Sequence, residues 1–173
     1  MKTVTFTQSC GLFILSMSIS MSDPSLLLAH QDHPTRLILP LSSAEKAAAA
    51  ALTTCETDGY HVSVAVVDQG GNLKVLIRGD GAGPHTQDSS FKKAYTATSI
   101  GRSTNELAEL ITKTPTLQPL RDMNDNILIL GGGLPIKIRK TVVGGIGVGG
   151  APGANLDEAC AQAGLDALLS ETK

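Results

Sequence analysis

A histidine in a glycine- and proline-rich loop is the side chain in this sequence best suited to bind a metal. His85 closes the loop-like segment 79–85, and Arg78 directly precedes that segment. Imidazole is a common iron ligand, and a guanidinium group pairs well with carboxylates. Loops on a rigid scaffold often carry binding residues. His85 is therefore a candidate iron ligand and Arg78 a candidate contact for an acidic ligand group, although an exposed loop histidine without a ligand is the alternative.

A helix predicted over about residues 86–100 carries further polar candidates. Lys93 is positioned in sequence to reach a carboxylate from the same side as His85, and Thr96 lies in the same helix. Helical spacing does not place Lys93 and Tyr95 on one face, so at most one of these two side chains should contact a ligand. We expect Lys93 to make that contact and Tyr95 to lie in the core.

Two glycine-rich stretches have the composition of ligand-binding loops. Gly132 and Gly133 belong to a Gly-Gly-Gly run, which could form an anion-binding nest of backbone N–H groups or a turn that requires positive φ. The stretch 145–150 matches G-x-G-x-x-G, but only one predicted helix follows it, and a dinucleotide site needs a complete βαβ unit. The second stretch therefore predicts close backbone packing and not a nucleotide site.

Several other classes of function lack their motifs. The sequence contains no G-x-S-x-G, H-E-x-x-H, P-loop or C-x-x-C motif, so no catalytic nucleophile and no zinc site is apparent. The formal net charge is −2 and no basic stripe is present, so nucleic acid is not an expected partner. These absences favour a non-enzymatic binding protein over an enzyme.

The first residues have the layout of an export signal. Lys2 precedes a short apolar run at 10–19, and small residues follow at Ser20, Ser22 and Ala29. This layout predicts a signal peptide over 1–29, a polar leader over 30–41 and a periplasmic or secreted domain over 42–173. The apolar run is too short to span a membrane, so stable membrane insertion is not expected.

Two cysteines would remain after removal of such a signal. Cys55 and Cys160 each fall on a predicted helix. An oxidising compartment permits a disulfide, but two scattered cysteines are more often separate small core residues, which is what we expect here.

The order of strand-like, turn-like and helical segments predicts an α+β fold. Runs at 61–68 and 73–78 are rich in β-branched residues and flank a Gly-Gly-Asn turn, which indicates a hairpin. Ser42 or Ser43 should cap a helix that ends at Asp58, another helix should start at Ser103 or Thr104, and a third should close the chain. Shorter strands are predicted at 127–130, around Pro135 and at 141–148. Because no βαβ repeat appears, we expect one antiparallel sheet of about five strands flanked by helices.

A series of motifs in one order resembles the GlcG/HbpS family, which is related to the C-terminal domain of PduO. The motifs are VSVAVVDQGGNLKVLIRGDGA at 62–82, KAYTA at 93–97, GGLPI at 132–136, VVGGIGVGG at 142–150 and DEACAQAGL at 157–165. The resemblance covers about residues 40–170. It implies a profilin-like or PAS-like α/β fold, homo-oligomers, and binding of haem or a related tetrapyrrole. Secreted members of the family are linked to haem scavenging or redox sensing.

The expected function on this resemblance is haem binding for scavenging, storage or sensing outside the cytoplasm. The resemblance also leaves open a small enzyme that acts on a hydroxy acid or on haem, and a corrinoid-handling accessory domain that binds cobalamin. The sequence departs from the family pattern at Ile138-Arg139-Lys140, which adds positive charge near a loop. With His85 as the iron ligand, the predicted binding residues are Arg78, His85, Lys93, Thr96, Gly132 and Gly133.

Overall fold

The computed structural model describes residues 37–169, in which helices cover both faces of one antiparallel sheet. In chain order the elements are α1 (Leu41–Thr57), β1 (Ser63–Asp68), β2 (Leu73–Arg78), α2 (His85–Ile100), α3 (Thr104–Lys113), a 3-10 helix (Pro115–Asp122), β3 (Gly133–Ile138), β4 (Thr141–Gly149) and α4 (Ala154–Leu169). The strand order is β2–β1–β4–β3, so β2 and β3 are the edge strands. This architecture confirms the predicted α+β class.

The sheet has four strands in the described residues, where about five were expected. The segment predicted as a strand at 127–130 is irregular, because its backbone and side chains are engaged elsewhere. The Leu128 N–H donates to Oγ1 of Thr96 on α2 at 2.8 Å. Ile127 and Ile129 are buried in a small cluster with α3 residues Leu107 and Ile111. This long connection therefore builds a second, minor core and does not extend the sheet.

Helix α1 begins at Leu41, after Pro40, and has no side-chain cap, so the prediction of a cap at Ser42 or Ser43 is wrong. Pro40 lies at the N-cap position with an extended backbone, and the alanine run at 47–51 has the highest helix propensity. The main core also reaches further toward the N-terminus than expected, because Leu39 is buried and Leu37 packs beside it. Both leucines fall within the stretch 30–41, which was predicted to be a polar leader, so the domain begins before residue 42.

The main core lies between the sheet and the pair α1 and α4. The residues of α1 that face this core are small, which allows the two helices to approach closely. A disulfide joins Cys55 of α1 to Cys160 of α4, with a Cα–Cα distance of 5.6 Å. The expectation of two separate core cysteines is therefore wrong. The buried α1 residues are Ala44, Ala47, Ala48, Ala51 and Cys55.

Helix α2 covers the opposite face of the sheet and packs directly on the glycines of β4. A Cβ at Gly147 would overlap the carbonyl oxygen of Ser90, and a Cβ at Gly145 would overlap Oγ1 of Thr98. Any side chain at these positions would push the helix away from the sheet. This contact confirms that stretch 145–150 serves close backbone packing.

None of the helices within residues 37–169 combines the length and the apolar character needed to cross a membrane.

Candidate functional site

The connection from β2 to α2, which we term loop 79–84, lies at the end of the sheet where β1 begins. Hydrogen bonds hold its backbone: the Gly79 N–H donates to the Val62 carbonyl at 2.9 Å, and the Ala82 N–H donates to the Gly79 carbonyl at 3.2 Å. Arg78 adds a side-chain clamp, since its Nε donates to the Ala82 carbonyl at 2.9 Å and its Nη2 donates to the same oxygen. Loop 79–84 is thus a fixed platform.

His85 is the first residue of α2, and its side chain is exposed. The imidazole lies against the backbone of Gly83, where an added Cβ would be only 2.7 Å from Cε1 of His85. The next residue, Thr86, is buried and anchors this turn, because its Oγ1 donates to the Gly83 carbonyl at 2.7 Å and lies 2.7 Å from Oγ of Ser63 on β1. An exposed imidazole is therefore carried on an anchored backbone.

A second exposed histidine, His61, lies beside the same loop, although its position at the start of a strand indicates only a boundary residue. Its Nδ1 would be 3.2 Å from a Cβ at Gly81, which has a φ of +79°. The hairpin register pairs Ser63 with Arg78, so residues just before β1 must lie beside residues just after β2. The register of the predicted hairpin is therefore the feature that places His61 beside loop 79–84.

Edge strand β2 presents two exposed leucines on the face of the sheet that α2 covers. Leu73 and Leu76 are 49% and 38% exposed. Leu73 pairs with Val67 of β1, and Leu76 pairs with Ala65. These two β1 residues pack against Phe91 of α2. Residues directly opposite in an antiparallel pair project to the same face, so Leu73 and Leu76 share the α2 side.

Arg78 lies on that side as well, because its partner Ser63 contacts Thr86 of α2. Helix α2 runs back along β2, since His85 starts it beside loop 79–84 and Tyr95 reaches Gly71 at the other end of the strand. The half-buried Phe91 lies between these two points on the helix. Two exposed leucines of edge strand β2 thus share a sheet face with Arg78, and α2, which carries His85 and Phe91, covers the same face. We call the set Leu73, Leu76, Arg78, His85 and Phe91 the β2–α2 surface.

Lys93 does not belong to this surface, contrary to the sequence prediction. Its side chain is 2% exposed, and its Nζ donates to Oδ2 of Asp157 at 2.7 Å and to the Val148 carbonyl at 2.9 Å. Tyr95, expected in the core, is partly buried and packs against the minor core that contains Leu107 and Ile111. Lys93 is buried because α2 packs against β4 on the side that bears this residue, where Asp157 in the first turn of α4 supplies a counter-charge.

The Lys93–Asp157 ion pair is a buried electrostatic contact. Burial raises the pKa of the Asp157 carboxyl, while the ammonium group of Lys93 and the backbone N–H of Ala151 act in the opposite direction. Ala151 donates to Oδ1 of Asp157 at 3.0 Å, so both carboxylate oxygens have a donor. A charged pair in the interior needs this degree of hydrogen bonding to offset its desolvation.

Thr96, Gly132 and Gly133 are also interior residues. The hydroxyl of Thr96 donates to the Lys92 carbonyl at 2.7 Å and accepts from Leu128 N–H. Gly132 has a φ of +113° and lies against the side chains of Asp157 and Lys93. The N–H of Gly133 donates to Oγ1 of Thr104 at 2.8 Å, so this donor is not available to a nest. The glycine run serves a turn with close packing.

A separate groove of 730 Å³ runs between α3 and edge strand β3, on the side of the sheet away from β2. Arg102, Leu110, Leu134 and Lys137 are among the residues that line it. None of the predicted site residues lies there. In the part of the chain that the structure describes, no three histidine, cysteine or acidic side chains converge to hold a bare metal ion.

Comparison with known proteins places these features in a family. A family model described as "Haem degrading protein HbpS-like" matches residues 39–166. A double mutant of HbpS from Streptomyces reticuli has a similar structure, with 47% identity, a TM-score of 0.71, and coverage of 76% of this chain and 87% of that chain. A PduOC structure described as a haem complex has 25% identity, a TM-score of 0.70, and coverage of 76% and 95%. Protein GlcG of Escherichia coli K12 is 31% identical over 114 residues, which are 66% of this chain and 83% of GlcG.

Proposed function

Because the chain belongs to the HbpS-like family, we propose that it binds haem and that haem docks on the β2–α2 surface. One observation carries the proposal: an exposed imidazole on an anchored backbone begins the helix that covers a sheet face with exposed leucines on its edge strand. The fold of the chain is also that of a PduOC structure described as a haem complex.

The residues of the β2–α2 surface suit the two chemical parts of haem. His85 would supply the nitrogen ligand that iron accepts, as in many haem proteins. Leu73, Leu76 and Phe91 would contact the apolar ring, and their burial under it would remove apolar area from water. Bound haem would supply a redox-active iron, whereas the chain's own residues orient the ring and shield one of its faces.

Substitution of the loop histidine tests this site. We expect His85→Ala to weaken haem binding by about tenfold or more, because losing a bond worth ~1.4 kcal/mol already has that effect. Haem titration followed by the position of the Soret band measures the change. His61→Ala removes an exposed imidazole from the same end of the sheet and is the matched control. Unchanged affinity and an unchanged Soret band in His85→Ala would show that His85 does not bind the iron.

The role of the bound haem has two candidates. Storage, scavenging or sensing requires only stable binding, whereas the description of the family favours haem degradation as a second candidate. Adding reductant and air to the haem-loaded protein separates the two. Loss of the Soret band together with a released product indicates degradation, and a persistent band indicates a binding role. None of the relatives reported above is described with a corrinoid, so cobalamin serves as the comparison ligand in the same titration.

We further propose that the protein is exported to the periplasm or the exterior and self-associates. The signal-like residues 1–29 lie outside the described part of the chain, so support for export comes from the Cys55–Cys160 disulfide, which is typical of oxidising compartments.

Self-association is supported by exposed apolar side chains such as Ile38 and Leu41, which would suit contact with a second copy. Protein from the native host should lack its first residues by mass spectrometry and elute above monomer mass. An intact Met1 would contradict export, and elution as a monomer would contradict self-association.

A further inference from the structure

The cations near the β2–α2 surface are already engaged within the protein. We infer that this surface recognises a metalloporphyrin through its metal and its apolar ring and not through its carboxylates, and that Arg78 is a positioning residue. This inference rests on the proposed function and specifies which part of the ligand is recognised. It also reverses the expectation from sequence that Arg78 and Lys93 bind an acidic ligand group.

Arg78 uses the edge of its guanidinium group that would otherwise bind a carboxylate. Its Nε and Nη2 both donate to the Ala82 carbonyl, and these two donors form one side of the fork that pairs side-on with a carboxylate. The clamp closes loop 79–84 at the point where Gly81 adopts a φ of +79°. Since glycine restricts its own backbone little, the clamp contributes to the rigidity of the platform that carries His85.

The lysines on the neighbouring elements have partners as well. Lys92 of α2 pairs with Asp88 at 3.1 Å, one helical turn away and close to His85 in sequence. Lys93 is buried against Asp157 at 2.7 Å. Lys74 of β2 interacts electrostatically with Asp68. Each of these three lysines is therefore matched by a carboxylate, and within residues 37–169 neither α2 nor β2 presents a cluster of unpaired lysines to ligand propionates.

Carboxylates of a bound haem would consequently point to solvent. Removing their charge should change affinity little, because exposed ion pairs contribute little in water. Removing the metal should matter more, because the imidazole would then lose its ligand partner. The β2–α2 surface should therefore accept esterified metalloporphyrins and discriminate against metal-free ones.

Three probes test the recognition of the ligand: haemin, haemin dimethyl ester and protoporphyrin IX, each titrated against the full chain in the same detergent. We expect the dissociation constants of haemin and its diester to agree within about threefold, and protoporphyrin IX to bind about tenfold more weakly or worse. A diester that binds about tenfold more weakly than haemin would overturn the inference, as would equal binding of protoporphyrin IX. Failure of wild-type protein to bind haemin at all would instead reject the proposed function.

Arg78→Ala tests the positioning role with the same probes. We expect haemin and its diester to lose affinity by the same factor, about fivefold or more, with a changed Soret position because the imidazole is less well held. Arg78→Lys keeps the charge without the fork and should not restore wild-type binding. Arg102→Ala removes an exposed arginine from the α3–β3 groove and should leave both titrations unchanged. Loss of haemin binding alone would make Arg78 a carboxylate contact, and no loss for either probe would show that the clamp has no role; both results overturn the inference.

Discussion

Loss of the Cys55–Cys160 disulfide is expected to lower the free energy of unfolding by about 4–5 kcal/mol, the entropy effect of a loop of this length. The bridge joins residues that are 105 positions apart, so it restricts the unfolded chain over most of the described domain. Cys55 and Cys160 are fully buried between α1 and α4, and their removal also takes packing from the main core. A loss of this size is comparable to the whole stability of a marginal domain.

Denaturant unfolding measures this effect. The variant with both Cys55→Ala and Cys160→Ala should unfold at a lower midpoint than the oxidised wild-type protein. Wild-type protein that has been unfolded and refolded with reductant is the matched control, and it should approach the midpoint of the variant. The variant itself should not respond to reductant. Equal midpoints for all three samples would show that the bridge does not stabilise the fold.

Asp157→Ala is expected to destabilise the protein by about 3–5 kcal/mol, the usual effect of breaking a buried ion pair by removing one partner. The substitution would leave the ammonium group of Lys93 buried, with its hydrogen bond to the Val148 carbonyl in place but no carboxylate partner. The main part of the loss comes from this uncompensated charge, since Lys93 is 2% exposed and cannot reach water without moving α2.

A second variant and a control make the measurement specific. Lys93→Met combined with Asp157→Leu removes both charges and should recover part of the lost stability, because apolar replacements of a buried pair are often tolerated. Asp88→Ala breaks the exposed Lys92–Asp88 pair on the same helix and should change stability by less than about 1 kcal/mol. If Asp157→Ala unfolds at the same denaturant concentration as Asp88→Ala, the buried pair does not stabilise the protein more than the exposed pair does.

Local signals predicted the elements that position the candidate site. The hairpin β1–β2 follows from β-branched runs around a Gly-Gly-Asn turn. Helix α2 ends where predicted, because Gly101 adopts a left-handed φ of +74° that terminates a helix. Ser103 caps α3 by accepting from the N–H groups of Asn105 and Glu106, as its residue type suggests. These features depend on neighbours within a few residues, so the sequence displays them directly.

Partners that are distant in sequence could not be predicted in this way. Thr96 is a candidate ligand contact by residue type alone, but its hydroxyl holds the irregular segment at Leu128. The same segment carries isoleucines that suit a strand, and it packs on α3 because edge strand β3 is already placed beside β4. Burial next to a partner far along the chain overrides a local propensity for strand.

The sequence by itself determined the class of fold, the hairpin, the limits of α2 and the family, since these follow from local pattern and from motifs in order. Only the tertiary structure decided which polar residues face solvent. Lys93 lies about two turns of helix after His85, yet its charge is neutralised in the core by Asp157, 64 positions away. Cys55 finds Cys160 for the same reason, because the packing of α1 against α4 creates a proximity that no sequence spacing records. Residue type indicates what a side chain is able to bind, and the packing of distant segments decides what it actually meets.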